Sequence, residues 1–214
     1  MADPTPGLTS GGLRSGSTSG LTSGGLTSGL TSGGSTSGWL TGRSTDGGID
    51  EIPLPAAVPG KLWLCGKHLV GPGPEAALER VGASTIVCLV ERREIVDRYP
   101  DYAAWLDDQP STRAVEFPVP DLHMPSPNAP VTEAFIADLL VRLERGDGLI
   151  IHCAAGIGRS GTTAVALLIR LGMSLDVALA HVRRHRPMGG PEVGAQLDFV
   201  TDVARSIRGT DNSM

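Results

Sequence analysis

A cysteine and an arginine bracket five small or apolar residues in Cys153-Ala154-Ala155-Gly156-Ile157-Gly158-Arg159, and Ser160-Gly161 follow. The preceding Leu149-Ile150-Ile151 is short, apolar and β-branched, which reads as a buried strand; residues 162–171 read as a helix with few polar positions. The loop therefore lies where a strand hands over to a helix. Amides in a first helical turn have no intrahelical partner, and the helix dipole adds positive potential there, so such a site takes up anions. Ala154, Ala155, Gly156 and Gly158 are small enough for successive amides to converge, and with Ile157 they make up the expected oxyanion-binding main chain. Cys153 stands at the mouth of that field. A thiol that titrates near ~8.5 in water ionises more easily beside a helix N-terminus or a cation, and the thiolate is a nucleophile. Arg159 supplies a planar fork for two phosphate oxygens. The Ser160 hydroxyl can hydrogen-bond the sulfur and ease its later departure, and His152 can order the loop through its backbone. Together these residues suit a phosphate dianion with a sulfur aimed at phosphorus.

Three other readings compete for the same stretch. Gly156-Ile157-Gly158-Arg159-Ser160-Gly161 also spells the G-x-G-x-x-G dinucleotide fingerprint, with Asp176 at a suitable distance. However, Asp176 sits in Ser174-Leu175-Asp176, which reads as a helix start, and too little chain follows for a dinucleotide domain. A Walker loop needs a lysine that is missing here. A buried structural cysteine would leave Arg159 without a purpose.

The His-Cys-x5-Arg-Ser pattern resembles the signature of the cysteine-dependent protein tyrosine phosphatase superfamily, in its dual-specificity-like branch. Lys61-Leu62-Trp63-Leu64 looks like that family's opening strand and Ser84-Thr85-Ile86-Val87-Cys88-Leu89-Val90 like its second. Phe117-Pro118-Val119-Pro120-Asp121 looks like the strand and loop that present the general acid, and Arg186-Pro187 with residues 196–200 like the closing helices. The resemblance covers roughly residues 55–207 and implies a phosphocysteine mechanism. Asp121, thirty-two residues before Cys153 in a proline-studded loop, is the expected general acid, ahead of Asp101, Asp107 and Asp108 in a surface-like stretch. Cys153 attacks phosphorus, Arg159 and the loop amides hold the equatorial oxygens, and Asp121 protonates the departing oxygen. Water then hydrolyses the phosphocysteine with Asp121 as base. The resemblance further implies a water-positioning role for Gln196, set against a solvent-facing helix glutamine. It also implies a reversible disulfide between Cys88 and Cys153, set against a buried structural cysteine. Arg92 and Arg93 are expected to rim the pocket or to form a solvated pair. The run Arg183-Arg184-His185-Arg186 is expected to close a helix, where cations meet the negative dipole end, and need not bind anything.

These residues need a scaffold. The pattern predicts strands near 61–65, 85–90, 114–118 and 148–152, and helices near 74–82, 96–107, 131–145, 160–172, 174–186 and 191–207. Alternation of this kind predicts an α/β fold, a mainly parallel central sheet flanked by helices. Residues 1–48 are nearly all Gly, Ser, Thr and Leu in an imperfect five- or six-residue repeat, expected to be a disordered tail. Residues 49–208 form the expected catalytic domain and 209–214 a short C-terminal tail.

The net charge of −5 argues against nucleic acid as a partner. No apolar run is long enough to span a bilayer, and the start lacks the basic patch and apolar core of a secretory signal. Three cysteines without framework spacing fit a reducing compartment, so a cytoplasmic location is expected. His68, His123, His152, His181 and His185 show no metal-ligand spacing; neither a metal nor another cofactor is expected. The loop carries no lysine, unlike the resembling lipid phosphatases, and the phosphotyrosine clamp of the tyrosine-specific members is not evident. A phosphorylated protein, on tyrosine and on serine or threonine, is the expected substrate; a small phosphate ester, a phosphate-binding pseudophosphatase or scaffold, and a sulfurtransferase-like enzyme are the alternatives. The sequence leaves the oligomeric state open.

Overall fold

Proline and apolar patterning set most of the element boundaries. In the computed structural model, which describes residues 48–211 and side chains to residue 207, the order is β1 (Asp50–Glu51), β2 (Lys61–Gly66), α1 (Lys67–Val70), α2 (Pro74–Val81), β3 (Thr85–Cys88), α3 (Pro100–Asp108), β4 (Ala114–Glu116), α4 (Pro130–Arg145), β5 (Gly148–Cys153), α5 (Gly158–Arg170), α6 (Leu175–His185) and α7 (Gly194–Asp211). Proline opens α2, α3 and α4, where its missing N–H costs nothing and its φ is already helical. The sheet order is β1-β2-β5-β3-β4, with β1 antiparallel to β2 and every other pair parallel. The expected mainly parallel α/β fold is therefore present.

Strand β5 is the centre of the sheet, paired on both sides and buried at all six residues. A strand covered on both faces needs a continuous apolar run, which Leu149-Ile150-Ile151 supplies. Helix α5 leaves its carboxyl end and packs against α4, α6 and α7. Every residue of α5 from Gly158 to Ile169 is buried, so this helix is enclosed by its neighbours. From the other face of β5, Tyr102 of α3 reaches His152.

The boundaries differ from expectation in places. No helix begins at 96: Arg92–Glu94 form a 3-10 turn closed by a reciprocal Glu91–Glu94 capping box, residues 95–98 turn, and α3 starts at Pro100. The residue before a proline is driven out of the helical region, which sets that start. Helix α5 begins at Gly158 rather than 160, so Arg159 and Ser160 lie in its first turn. Helix α7 begins at Gly194 and continues to Asp211, into the expected C-terminal tail; residues 212–214 lie outside the described ones. The expected N-terminal tail also lies outside them, apart from Gly48. Strand β1 went unread, because two residues carry no periodicity.

Candidate active site

Parallel pairing aligns three strand ends beneath one loop. Gly66 of β2 pairs with Cys153, and Cys88 of β3 pairs with His152. The chain then turns through Ala154–Ile157 into α5. Gly156 adopts φ +75° above β2, where a Cβ would collide with the Cys65 carbonyl; only glycine meets both demands. The Lys67 N–H donates to the Ala154 carbonyl at 3.2 Å, fastening the loop to the end of β2.

The buried Cys153 Sγ lies 3.4 Å from Ser160 Oγ. One turn of helix therefore brings the two predicted groups into contact. His152 is fully buried, with Nδ1 3.4 Å from the Cys153 carbonyl and Nε2 2.6 Å from Tyr102 Oη. A carbonyl only accepts, so Nδ1 carries the proton and a neutral ring takes the Tyr102 hydrogen at Nε2. Burial, the largest influence, pushes His152 from 6.5 down to about 4. Because the native ring refuses a proton that the unfolded chain accepts, stability is intact above pH 6.5 and lost as pH falls towards 4, by up to about 3 kcal/mol. An imidazole resonance for His152 that stays neutral from pH 8 to 5, alongside a falling urea midpoint, is the expected result. Titration near 6.5 in the folded protein would contradict it.

Arg159 is only 2% exposed. Its guanidinium is gripped by Glu94 through Nη1–Oε1 at 2.7 Å and Nη2–Oε2 at 3.0 Å, and Nη1 also donates to the Val119 carbonyl at 2.8 Å. Burial opposes ionisation of Glu94, but the hydrogen bonds from Arg159 and Glu91 hold its carboxyl below the ordinary value. The Lys67 ammonium donates to the Glu94 carbonyl at 2.7 Å and stands 3.9 Å from Oε2. Sequence reasoning missed Glu94. Its only local signal was the spacing of Glu91 and Glu94, a capping box that turns the carboxylate inward.

Asp121 approaches from the loop after β4, with Oδ1 3.3 Å from Arg159 Nη2 and a side chain 73% exposed. The turn is closed by the His123 N–H on the Pro120 carbonyl at 3.1 Å, and Leu122 takes φ +57°. That left-handed conformation costs a non-glycine residue about 1 kcal/mol and marks a locally strained loop.

Three expectations are corrected by the packing. Arg186 is not an idle helix-end charge. It donates through Nε to the Gly156 carbonyl at 2.9 Å, through Nη2 to the Ala155 carbonyl at 3.0 Å and through Nη1 to the Gly48 carbonyl at 3.0 Å, and pairs with the Asp50 carboxylate. Arg92 does not rim the loop: it joins the 3-10 turn to the Ala103 carbonyl, Asp107 and Glu116, each at 2.7 Å, and Arg93 folds onto Glu91. Gln196 is not solvent-facing but fully buried beside the loop.

Cys88 is not brought to Cys153. Neighbours along a strand point to opposite faces, and Cys88 is paired with His152 on the Tyr102 side, whereas Cys153 faces Ser160. Burial also pushes the Cys88 and Cys65 thiols up to about 12, which leaves them as poor nucleophiles. A disulfide between Cys88 and Cys153 would need backbone movement. Among the described residues no three His, Cys, Asp or Glu side chains gather as a cation site, and no helix is long and apolar enough to cross a membrane.

Residues 72–193, more than half of the chain, match the family described as "PTP-SAK: Swiss Army Knife protein, DSP-PTPase phosphatase domain". Dual specificity protein phosphatase 1 of Arabidopsis thaliana is 35% identical over 68 residues, 31% of this chain and 34% of that protein. Dual specificity protein phosphatase 16 of Homo sapiens is 37% identical over 67 residues, 29% of this chain and 10% of that protein. The chain thus spans about a third or less of these curated relatives. Kinase associated phosphatase superposes with a TM-score of 0.61 at 21% identity, covering 75% of this chain and 95% of that one. Human DUSP28 superposes with a TM-score of 0.53 at 18% identity, covering 74% and 95%. These structures share the fold.

Proposed function

Since this chain belongs to the PTP-SAK family of dual-specificity-type phosphatase domains, we propose that it is a protein phosphatase acting through a phosphocysteine on phosphotyrosine and on phosphoserine or phosphothreonine. The observation that carries the reading is the convergence of three groups: Cys153 Sγ at the loop mouth, an Arg159 fork held rigid by Glu94, and the Asp121 carboxylate 3.3 Å from that fork. Glu94 occupies one edge of the guanidinium, which sets the plane in which the fork meets an oxyanion. Residues 154–158, at the start of α5, offer main-chain amides to the remaining oxygens.

Cys153 Sγ attacks phosphorus in line, and the bond to the ester oxygen breaks. Asp121, on its exposed loop, protonates that oxygen as it leaves. Ser160, within reach of Sγ, stabilises the thiolate when it is released again. The uncharged Ala154, Ala155 and Ile157 suit a single phosphate on a protein surface better than a polyanionic head group. The names of the curated relatives, both dual specificity protein phosphatases, support a protein substrate. Residues 49–208 are the proposed catalytic domain, and three buried thiols suit a reducing cytoplasm.

Leaving-group dependence tests the reading. Asp121→Asn is expected to slow phenyl phosphate, whose oxygen needs a proton, by about 10²-fold or more, and p-nitrophenyl phosphate far less. Phosphotyrosine and phosphothreonine peptides should follow the phenyl ester. Equal loss on both esters would remove Asp121 from the acid role. Wild-type protein inert to all of them would remove the enzyme reading.

A further inference from the structure

We propose that Asp50 is a positioning residue for the catalytic loop: through Arg186 it keeps two loop carbonyls turned outward, so that the segment at residues 48–52 sets how tightly the loop holds an oxyanion. The proposal rests on the phosphatase reading above. It extends that machinery to a strand outside residues 72–193, the part of the chain that matches the family.

Every carbonyl from Cys153 to Ile157 meets a donor on the outside of the loop. The Cys153 carbonyl faces His152 Nδ1 at 3.4 Å, and the Ala154 carbonyl takes the Lys67 N–H at 3.2 Å. Arg186 donates through Nη2 to the Ala155 carbonyl at 3.0 Å and through Nε to the Gly156 carbonyl at 2.9 Å. The Ile157 carbonyl takes the Gly190 N–H at 3.2 Å. In a trans peptide the C=O and the following N–H point in opposite directions. Carbonyls held outward therefore leave the next amides facing into the loop. The N–H groups of residues 154–157 donate to no main-chain carbonyl among the described residues, so they are open to a ligand. Two of the outward carbonyls depend on one side chain, that of Arg186. One of the two belongs to Gly156, at φ +75°, a residue whose peptide can turn over at little steric cost. Turned inward, that carbonyl would set a negative dipole where the phosphate oxygens bind.

What keeps Arg186 on the loop comes from β1. Arg186 follows the exposed Arg183 and Arg184 at the end of α6, which by itself would leave the guanidinium in water. Instead Nη1 pairs with the Asp50 carboxylate and donates to the Gly48 carbonyl at 3.0 Å. The two side chains are only 11% and 10% exposed, so the pair is largely withdrawn from solvent. Asp50 is in turn held in place. It lies opposite Leu64 in the antiparallel pairing of β1 with β2, between the buried Ile49 and Ile52. The Ile52 N–H donates to the Leu62 carbonyl at 2.8 Å, and His181 Nε2 donates to the Pro53 carbonyl at 2.8 Å. Asp50 is thus a fixed charge that aims a long, adaptable side chain. Without it a desolvated guanidinium faces carbonyls alone and gains by turning to water, which releases Ala155 and Gly156 together.

A mutant cycle on the full chain tests the relay, with p-nitrophenyl phosphate kinetics and phosphate titration as separate readouts. In Asp50→Ala, at a temperature where circular dichroism shows the variant folded, kcat/KM should fall about 10²-fold and phosphate affinity about tenfold. Arg186→Ala should lose as much. Adding Asp50→Ala to it should then change either quantity by less than about twofold, because Asp50 acts only through that guanidinium. Arg186→Lys keeps a charge beside Asp50 but lacks the fork, and should match Arg186→Ala on both readouts; it carries the test if Asp50→Ala does not fold. Glu51→Ala, exposed on the same strand, should leave both at wild-type values. Wild-type kcat/KM and phosphate affinity in folded Asp50→Ala or in Arg186→Lys, losses that add in the double variant, or an equal loss in Glu51→Ala would each overturn the proposal and leave the phosphatase reading standing. A wild type that binds phosphate but turns nothing over would remove the phosphatase reading, and the phosphate titrations would still judge Asp50. A wild type that does neither would bring down both.

Discussion

Replacing Cys153 by serine is expected to lower turnover of p-nitrophenyl phosphate by at least about 10⁴-fold while affinity for inorganic phosphate stays within a few-fold of wild type. The reason lies in the division of the loop. In the proposed mechanism, binding belongs to main-chain amides and to Arg159, whose position is set by Glu94 and the Val119 carbonyl, and none of these depends on sulfur. Bond making, on the same proposal, belongs to Sγ alone. A serine hydroxyl at the same place has no base within the described contacts: its neighbour is Ser160, and His152 is committed to Tyr102 and the Cys153 carbonyl. Removing a nucleophile whose partners act as a unit costs nearly the whole chemical acceleration. Steady-state kinetics and phosphate titration calorimetry check the two halves separately. Retained turnover would mean the sulfur is not the nucleophile. Turnover equally absent from the wild type, with phosphate still bound, would indicate a binding module.

The second large effect is expected at the fork. Arg159→Lys should reduce kcat/KM about 10³-fold, because an ammonium cannot meet Glu94 on one edge and two phosphate oxygens on the other. Glu94→Gln should produce a smaller version of the same loss together with a folding defect of about 2 kcal/mol. It leaves a guanidinium that is 2% exposed facing a neutral amide. The two readouts are linked by a ligand: saturating phosphate or tungstate supplies the missing negative charge and should recover much of the lost thermal stability of Glu94→Gln. Wild-type kcat/KM and wild-type melting in that variant would show that the ion pair positions nothing. The pH dependence points the same way. Glu94 ionises below its ordinary value in the fold, so its contribution is present above the unfolded value of 4.5 and lost as pH falls through the lower native one, adding to the acid sensitivity expected from His152.

Asp121 shows what kind of information each level carries. Its candidacy was legible from the resemblance and from a proline-studded loop, and the structure brings it to Arg159. Cys88 was legible in the same way, and there side-chain alternation on β3 decided otherwise. A strand's residues are near or far from a site by parity, and the pairing register of β3 against β5 is set by tertiary packing. The contacts of Arg186 are hidden from the sequence for a related reason. A basic helix end satisfies the helix dipole by itself, so nothing local signals that its guanidinium reaches Gly48, Asp50, Ala155 and Gly156.

The sequence alone determined the reactive loop and the sheet that carries it. A strand, a tight small-residue turn and a helix start are contiguous, and their chemistry depends on covalent neighbours: sulfur at the strand end, guanidinium and hydroxyl one helical turn on. Only the tertiary structure decided what holds and serves that loop. Glu94 is 65 residues from Arg159, and Arg186 is 136 residues from Asp50. Glu192 comes to Gly158 only because α7 packs against α5. Such partners are chosen by the closing of the fold around a buried charge or an orphaned amide, which no spacing along the chain encodes.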